Sequence, residues 1–190
     1  MDLSNKNKMK LEKLNNDKVE RLLEFAVKLC KPEKVSIIND SKEDINYIRE
    51  LALETGEEKS LDMEGHTYHF DGYNDQARDK KNTKYLVEED FDLGLDINTV
   101  DREKGLEEIF SYLDGSMEGK EMLVRFFSLG PNQSDFSLPA MQITDSSYVA
   151  HSEDILYRQG YQDFVHLNGS EDFFFFLHSA GKLENGVSAE

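Results

Sequence analysis

Tryptophan is absent from this 190-residue chain, proline occurs three times and cysteine once. The single thiol, Cys30, excludes an internal disulfide and any cysteine-rich metal site. It follows the apolar stretch Phe25 to Leu29 with no base beside it, which reads as a packed thiol rather than a nucleophile. No apolar run approaches the ~20 residues of a membrane span. The opening MDLSNKNKMK also lacks the apolar centre of a secretion signal. A cytoplasmic protein with no membrane partner is therefore expected. Positive charge is scarce too: 22 Lys and Arg stand against 39 Asp and Glu, for a net charge of −17. Such a chain repels nucleic acid at long range, so no nucleic-acid partner is expected. Any site for an anionic metabolite needs its own local cluster of cations. Finally, there is no G-x-x-x-x-G-K-[ST] phosphate loop, no G-x-S-x-G elbow and no Cys/His pairing. By these signs the chain is not a complete nucleotide-using enzyme.

What is present suits a globular fold. Hydrophobic residues make up 38% of the chain, with 12 Phe and 8 Tyr, enough for one sizeable core or two small ones. Residues 1–15 are polar and are expected to be a flexible lead-in. Asn16 or Asp17 can cap a helix carrying Val19, Leu22, Leu23, Ala26, Val27 and Leu29 on one side and stopping at Pro32. Val35 to Ile38 reads as a buried strand. Ser41 with Asp44 resembles a capping box for a helix through Ile45, Ile48, Leu51 and Ala52, closed by Gly56. Residues 57–104 are polar and loop-like, with one possible strand at 85–87. Gly105 to Leu113 reads as a helix, and Met122 to Phe127 and Leu138 to Thr144 as strands. Asp145-Ser146 is placed as the cap of a helix over 147–159, closed by Gly160. Phe173 to Leu177 is expected to be a strand buried on both faces. The alternation predicts an α/β domain over 16–181, a mixed sheet covered by helices, and then a polar tail or linker at 182–190.

Two clusters could carry chemistry. His66 and His69 stand i, i+3 beside Asp71, but the flanking glycines indicate a loop and no third ligand is fixed, so solvated histidines are the expectation and no metal site is assigned. The segment Ala77-Arg78-Asp79-Lys80-Lys81-Asn82-Thr83-Lys84 puts four cations and one anion into residues 78–84 of an otherwise acidic chain. An arginine there can grip a carboxylate or phosphate through two parallel hydrogen bonds. The alternative for Arg78 is a surface ion pair with Asp75 or Asp79.

Four segments, in order, carry a family likeness. They are Leu29-Cys30-Lys31-Pro32-Glu33-Lys34-Val35-Ser36-Ile37 running into Asp40-Ser41-Lys42-Glu43; Met122-Leu123-Val124 with Phe127-Ser128-Leu129-Gly130-Pro131; Thr144-Asp145-Ser146-Ser147-Tyr148-Val149 leading to Tyr157-Arg158-Gln159-Gly160; and Leu177-His178-Ser179-Ala180-Gly181. Together they resemble the N-terminal, substrate-binding domain of GTP-dependent phosphoenolpyruvate carboxykinases. The departures are Asn132 to Phe136 in place of the family's glycine-serine-proline, Arg125-Phe126 where an apolar residue and proline are usual, and a short acidic stretch between Thr83 and Gly105. These features suggest a divergent microbial branch.

The resemblance implies that Arg78 contacts the carboxylate or phosphate of oxaloacetate or phosphoenolpyruvate. It implies a full enzyme that converts oxaloacetate and GTP to phosphoenolpyruvate, GDP and carbon dioxide at a divalent metal, Mn2+ or Mg2+. The metal, GTP and catalytic groups of that enzyme belong to a nucleotide-binding domain outside this chain. On that basis the chain alone is expected to bind no cofactor, to be inactive and to be a monomer. A stand-alone, non-catalytic binding or regulatory protein derived from such a domain is the alternative.

Overall fold

The computed structural model describes residues 3–70, 82–88 and 97–181. Helix α1 (Asn5–Leu14) leads directly into α2 (Asp17–Cys30), which starts where the Asn16 side chain accepts from the N–H groups of Lys18 and Val19. The α2 residues Val19, Leu23, Ala26 and Cys30 are buried at helical spacing. The helix ends with Lys31 in the left-handed region, before Pro32. Strand β1 (Lys34–Ile37) follows, then α3 (Lys42–Glu54), whose Ser41 cap accepts from Asp44 N–H at 3.2 Å. A short antiparallel hairpin, β2 (Lys59–Ser60) and β3 (Thr67–Tyr68), comes next. Strands β4 (Tyr85–Val87) and β5 (Thr99–Asp101) then pair in parallel under α4 (Arg102–Leu113). Gly105 suits the close approach at that junction, because a Cβ there would press on methyl groups of Leu86 and Val100.

The principal sheet is built on β6 (Glu121–Leu129) and β7 (Leu138–Thr144), an antiparallel pair registered from Leu123 opposite Thr144 to Leu129 opposite Leu138. After β7 come α5 (Ser147–Leu156), β8 (Arg158–Gln159), α6 (Tyr161–Leu167) and β9 (Phe174–Leu177). The strand order is β1-β6-β7-β9. β1 runs parallel to β6, β9 runs parallel to β7, and β8 pairs with the far end of β6. The sheet is therefore mixed.

Alternation along β6 divides the interior. Met122, Val124 and Phe126 join Leu14, Leu23, Ala26, Tyr161 and Phe164 in the larger core, which α1, α2 and α6 close. Leu123 points to the other face, where it meets Ile38, Ile48 and Ala150 beneath α3 and α5. Every residue from Met122 to Ser128 is buried because both faces of this strand are covered.

Several readings change. The expected flexible lead-in is largely the helix α1, whose polar residues bond to the fold: Asn7 Nδ2 donates to Val35 O at 2.8 Å, and Lys10 Nζ to Ile37 O at 2.7 Å. The helix expected over 147–159 ends at Leu156, and a short strand and α6 follow it. Strand β9 is not buried on both faces, since Phe174 and Phe176 are exposed. The tail expected at 182–190 lies outside the described residues.

Candidate functional site

Arg78, the one residue singled out for substrate contact, lies outside the described residues, as does most of its basic cluster. The described chain on either side is tied down. Before it, the β2–β3 hairpin is fastened to the start of α5 by two adjacent glutamates. Glu57 accepts from Ser146 Oγ at 2.5 Å, Ser147 N at 3.1 Å, Ser147 Oγ at 3.0 Å and Tyr148 N at 3.0 Å. A carboxylate here complements both the unpaired N–H groups and the positive end of the helix. Glu58 accepts from Thr67 Oγ1 at 2.6 Å and meets His151 Nδ1 at 2.7 Å. His69 stacks on Tyr148 with ring centroids 3.6 Å apart, and its Nδ1 lies 2.6 Å from Glu57 O. After the basic cluster, Asn98 Nδ2 donates to Thr83 O at 3.3 Å just ahead of β4.

The third and fourth family-like segments meet at the C-terminal ends of the parallel pair β7 and β9, the edge where open α/β sheets bind ligands. Thr144 Oγ1 lies 2.9 Å from His178 Nδ1. Asp145, expected to help cap α5, instead accepts from Lys120 Nζ at 2.7 Å, Ser179 Oγ at 2.9 Å and Ala180 N at 2.8 Å. Of the Asp145-Ser146 pair only Ser146 caps α5, accepting from Val149 N at 3.1 Å beside the N–H groups held by Glu57. Burial lowers the His178 pKa below the usual histidine value, against the pull of Asp145 and Glu57, and Lys120 adds to the lowering. At the opposite end of the sheet, Asp40 accepts from Tyr161 N and Gln162 N at 3.1 and 3.0 Å, joining the first family-like segment to α6. Burial raises the Asp40 pKa, opposed by those two bonds.

These are framework contacts in which carboxylates are occupied by the protein's own donors. Among the described residues, no group of three His, Cys, Asp or Glu side chains is placed to hold a metal ion. His66 and His69 make separate contacts, each with Nδ1 against a backbone carbonyl. Cys30 is buried, and burial raises its thiol pKa, as suits a packed side chain. The role of Glu57 was not apparent from sequence, because an acidic residue just past Gly56 gives no sign of which helix it will reach.

Residues 22–190 match the family model described as the phosphoenolpyruvate carboxykinase N-terminal domain. The chain belongs to this family. Its relatives include proteins named phosphoenolpyruvate carboxykinase [GTP] from Thermococcus sibiricus, 53% identical over 92% of this chain, and from Sulfurisphaera tokodaii, 44% identical over 96%. A more distant one, from Corynebacterium jeikeium, is 31% identical over 90%. The chain spans 28%, 29% and 29% of the length of these three carboxykinases, respectively. Among the described residues, no helix is long and apolar enough to cross a membrane.

Proposed function

We propose that this chain is the substrate-binding, N-terminal part of a GTP-dependent phosphoenolpyruvate carboxykinase. The observation that carries the reading is 53% identity across 92% of the chain to a protein bearing that name. In the proposed reaction, the bond between oxaloacetate and its departing carboxylate breaks, releasing carbon dioxide and leaving its electron pair as an enolate. The enolate oxygen then attacks the γ-phosphorus of GTP and GDP leaves. A divalent metal, Mn2+ or Mg2+, would supply charge neutralisation when bound. By the family resemblance, the metal and GTP are assigned to the part of the enzyme outside this chain. The setting is cytoplasmic, and the chain itself is a monomer that does not turn over alone.

Arg78 is proposed to grip the carboxylate or phosphate of the substrate. Its guanidinium offers two parallel donors where a lysine offers one compact charge. The acidity of the rest of the chain makes such a local cation necessary, since an anionic substrate would otherwise be repelled. Hydrogen bonds to charged groups contribute about 1.5–3 kcal/mol each. Arg78→Ala in the complete enzyme is therefore expected to lower kcat/KM for oxaloacetate roughly 10- to 150-fold, with an unchanged melting temperature. Steady-state kinetics and a thermal melt on the same preparation test this. An unaltered kcat/KM would reject the role of Arg78, and turnover by the 190-residue chain alone would reject the division of labour.

A further inference from the structure

Arg125 stands between Leu123 and Phe127 in β6, so its side chain turns to the second face of the sheet, beneath α5. There it meets Glu153 and Asp154, successive residues of that helix. The three side chains are 5%, 6% and 8% exposed, respectively, so the charges lie in the interior. Arg125 Nη2 donates to Asp154 Oδ1. Its Nε and Nη1, together with Glu153 Oε2 and Asp154 Oδ2, are buried and bond to no described protein atom. Native interiors leave few such groups unpaired, so idle donors and acceptors gathered in one place call for a reason. The spacing offers one. Nε and Glu153 Oε2 are 3.9 Å apart, and a movement of about 1 Å would bring them within bonding distance.

The proton on Glu153 governs that movement. A neutral carboxyl attracts a guanidinium weakly, whereas a carboxylate makes a charge-assisted bond with it. Burial pushes the Glu153 carboxyl up to about 8; Arg125 opposes this and Asp154 adds to it. Among the described residues these are the charges that act on Glu153, Arg125 from β6 and Asp154 from α5 itself. The other elements against α5, which are α3, β7 and β8, contribute none. Arg125 also acts on Asp40, in the turn after β1, whose ionisation Asp163 of α6 opposes.

We propose that Arg125, Glu153 and Asp154 form a proton-operated latch: when Glu153 loses its proton, its carboxylate closes onto the idle Nε of Arg125 and draws α5 down on β6. The proton passes to solvent, the O–H bond is the only covalent bond broken, and Arg125 stays a cation throughout. Asp154 keeps its bond to Nη2, so in the closed latch one guanidinium spans two adjacent carboxylates. In the open latch α5 is held to Arg125 through Asp154 alone. The inference goes beyond the proposed function and does not depend on it.

Nuclear magnetic resonance of the chain, labelled with nitrogen-15 in its arginine side chains and backbone, tests the latch from about pH 6 to about pH 9. The Arg125 Nε–H resonance is expected to move downfield as pH rises through the Glu153 transition, and the amides of α5 to shift with the same midpoint. At the upper end, Nε–H should exchange roughly 10- to 150-fold more slowly than in E153Q at the same pH, the weight of a hydrogen bond to a charged group. E153Q should show neither change, and D154N should move the midpoint to lower pH by removing a neighbouring negative charge. An Arg125 signal that stays constant while Glu153 titrates would overturn the proposal, as would a full response in E153Q. If E153Q fails to fold, R125K serves instead: without Nε the α5 amides should lose the transition, and its persistence would equally overturn the latch.

Discussion

Glu153 shows what a single buried acid does to the pH response of this fold. It shares the interior with Arg125 and Asp154, all three nearly without exposure. Arg125 Nη2 donates to Asp154, while its Nε stands 3.9 Å from Glu153 Oε2, too far for a hydrogen bond. Burial pushes the Glu153 carboxyl from 4.5 up to about 8, helped by Asp154 and opposed by Arg125. Between those values the folded chain holds a proton that the unfolded chain has released. Stability is therefore fully present below the ordinary carboxylate pKa, falls as pH rises, and is lost above about 8. At ~1.4 kcal/mol per pH unit, the upper limit of this loss is about 5 kcal/mol. Glu153→Gln is expected to flatten the decline between pH 5 and pH 8 and to be the more stable protein at pH 8. Urea titrations of both proteins at three pH values check this, and parallel pH profiles would refute it. At this scale the sequence was only partly legible. Arg125 stood out as a charge where the family carries an apolar residue, but its partners lie on α5 and appear only once β6 and α5 are packed together. Arg78 is the reverse case: its cluster is conspicuous in sequence, and its role is argued from charge and resemblance.

Elements were legible where their signals are local. Asn16, Ser41 and Ser146 each cap the helix their sequence context indicated, because a cap and the N–H groups it satisfies lie within three residues. Helix α1 was missed because its polar residues act at long range. Lys10 Nζ bonds Ile37 O and Asp44 Oδ2, and Tyr161 Oη donates to Lys10 O at 2.7 Å, so this segment straps β1, α3 and α6 together. Removing one partner of a buried ion pair strands the other, at a cost of about 3 kcal/mol or more. Lys10→Met is expected to destabilise by that order, and K10M/D44L to recover much of the loss; equilibrium unfolding of the two variants measures it. A Lys10→Met change under about 0.5 kcal/mol would show that α1 is merely laid against the surface. Strand β9 was misread for a different reason. A run of phenylalanines records hydrophobicity, but whether a strand is central or at the edge is set by strand order, which no local pattern encodes. Glu57 belongs to this scale too, since it joins the hairpin to α5. Glu57→Ala removes the acceptor for four donors and is expected to cost about 1–3 kcal/mol. Amides of 58–69 should then exchange faster, while those of β6 and β7 stay protected.

Across the whole molecule, the two faces of the sheet are closed by unequal amounts of apolar surface. The larger cluster draws on α1, α2, α6, β1, β6 and β7, with Leu14, Val19, Leu23, Met122, Met141, Ile143 and Phe164 at most 1% exposed. The smaller is Ile38, Ile48, Leu123 and Ala150. Burial contributes about 1.5–3 kcal/mol for each large apolar side chain, so far less free energy holds α3 and α5 to the sheet than holds α2 and α6. Polar contacts make up part of the difference on the smaller side: Glu57 at the start of α5, Glu58 with His151, and Thr55 Oγ1 within 2.9 Å of Ser147 Oγ. Such contacts hold geometry well but add less net stability, since water competes for the same groups. Native-state exchange is therefore expected to show two levels of opening. The amides of β6, β7 and α2 should open only with global unfolding, and those of α3, α5 and the hairpin at lower free energy as one unit. Ile48→Ala should lower only the second level, whereas Leu23→Ala should lower both by about 2–5 kcal/mol. A single common opening free energy for α2, α3, α5 and β6 would show instead that the sheet couples its two faces completely.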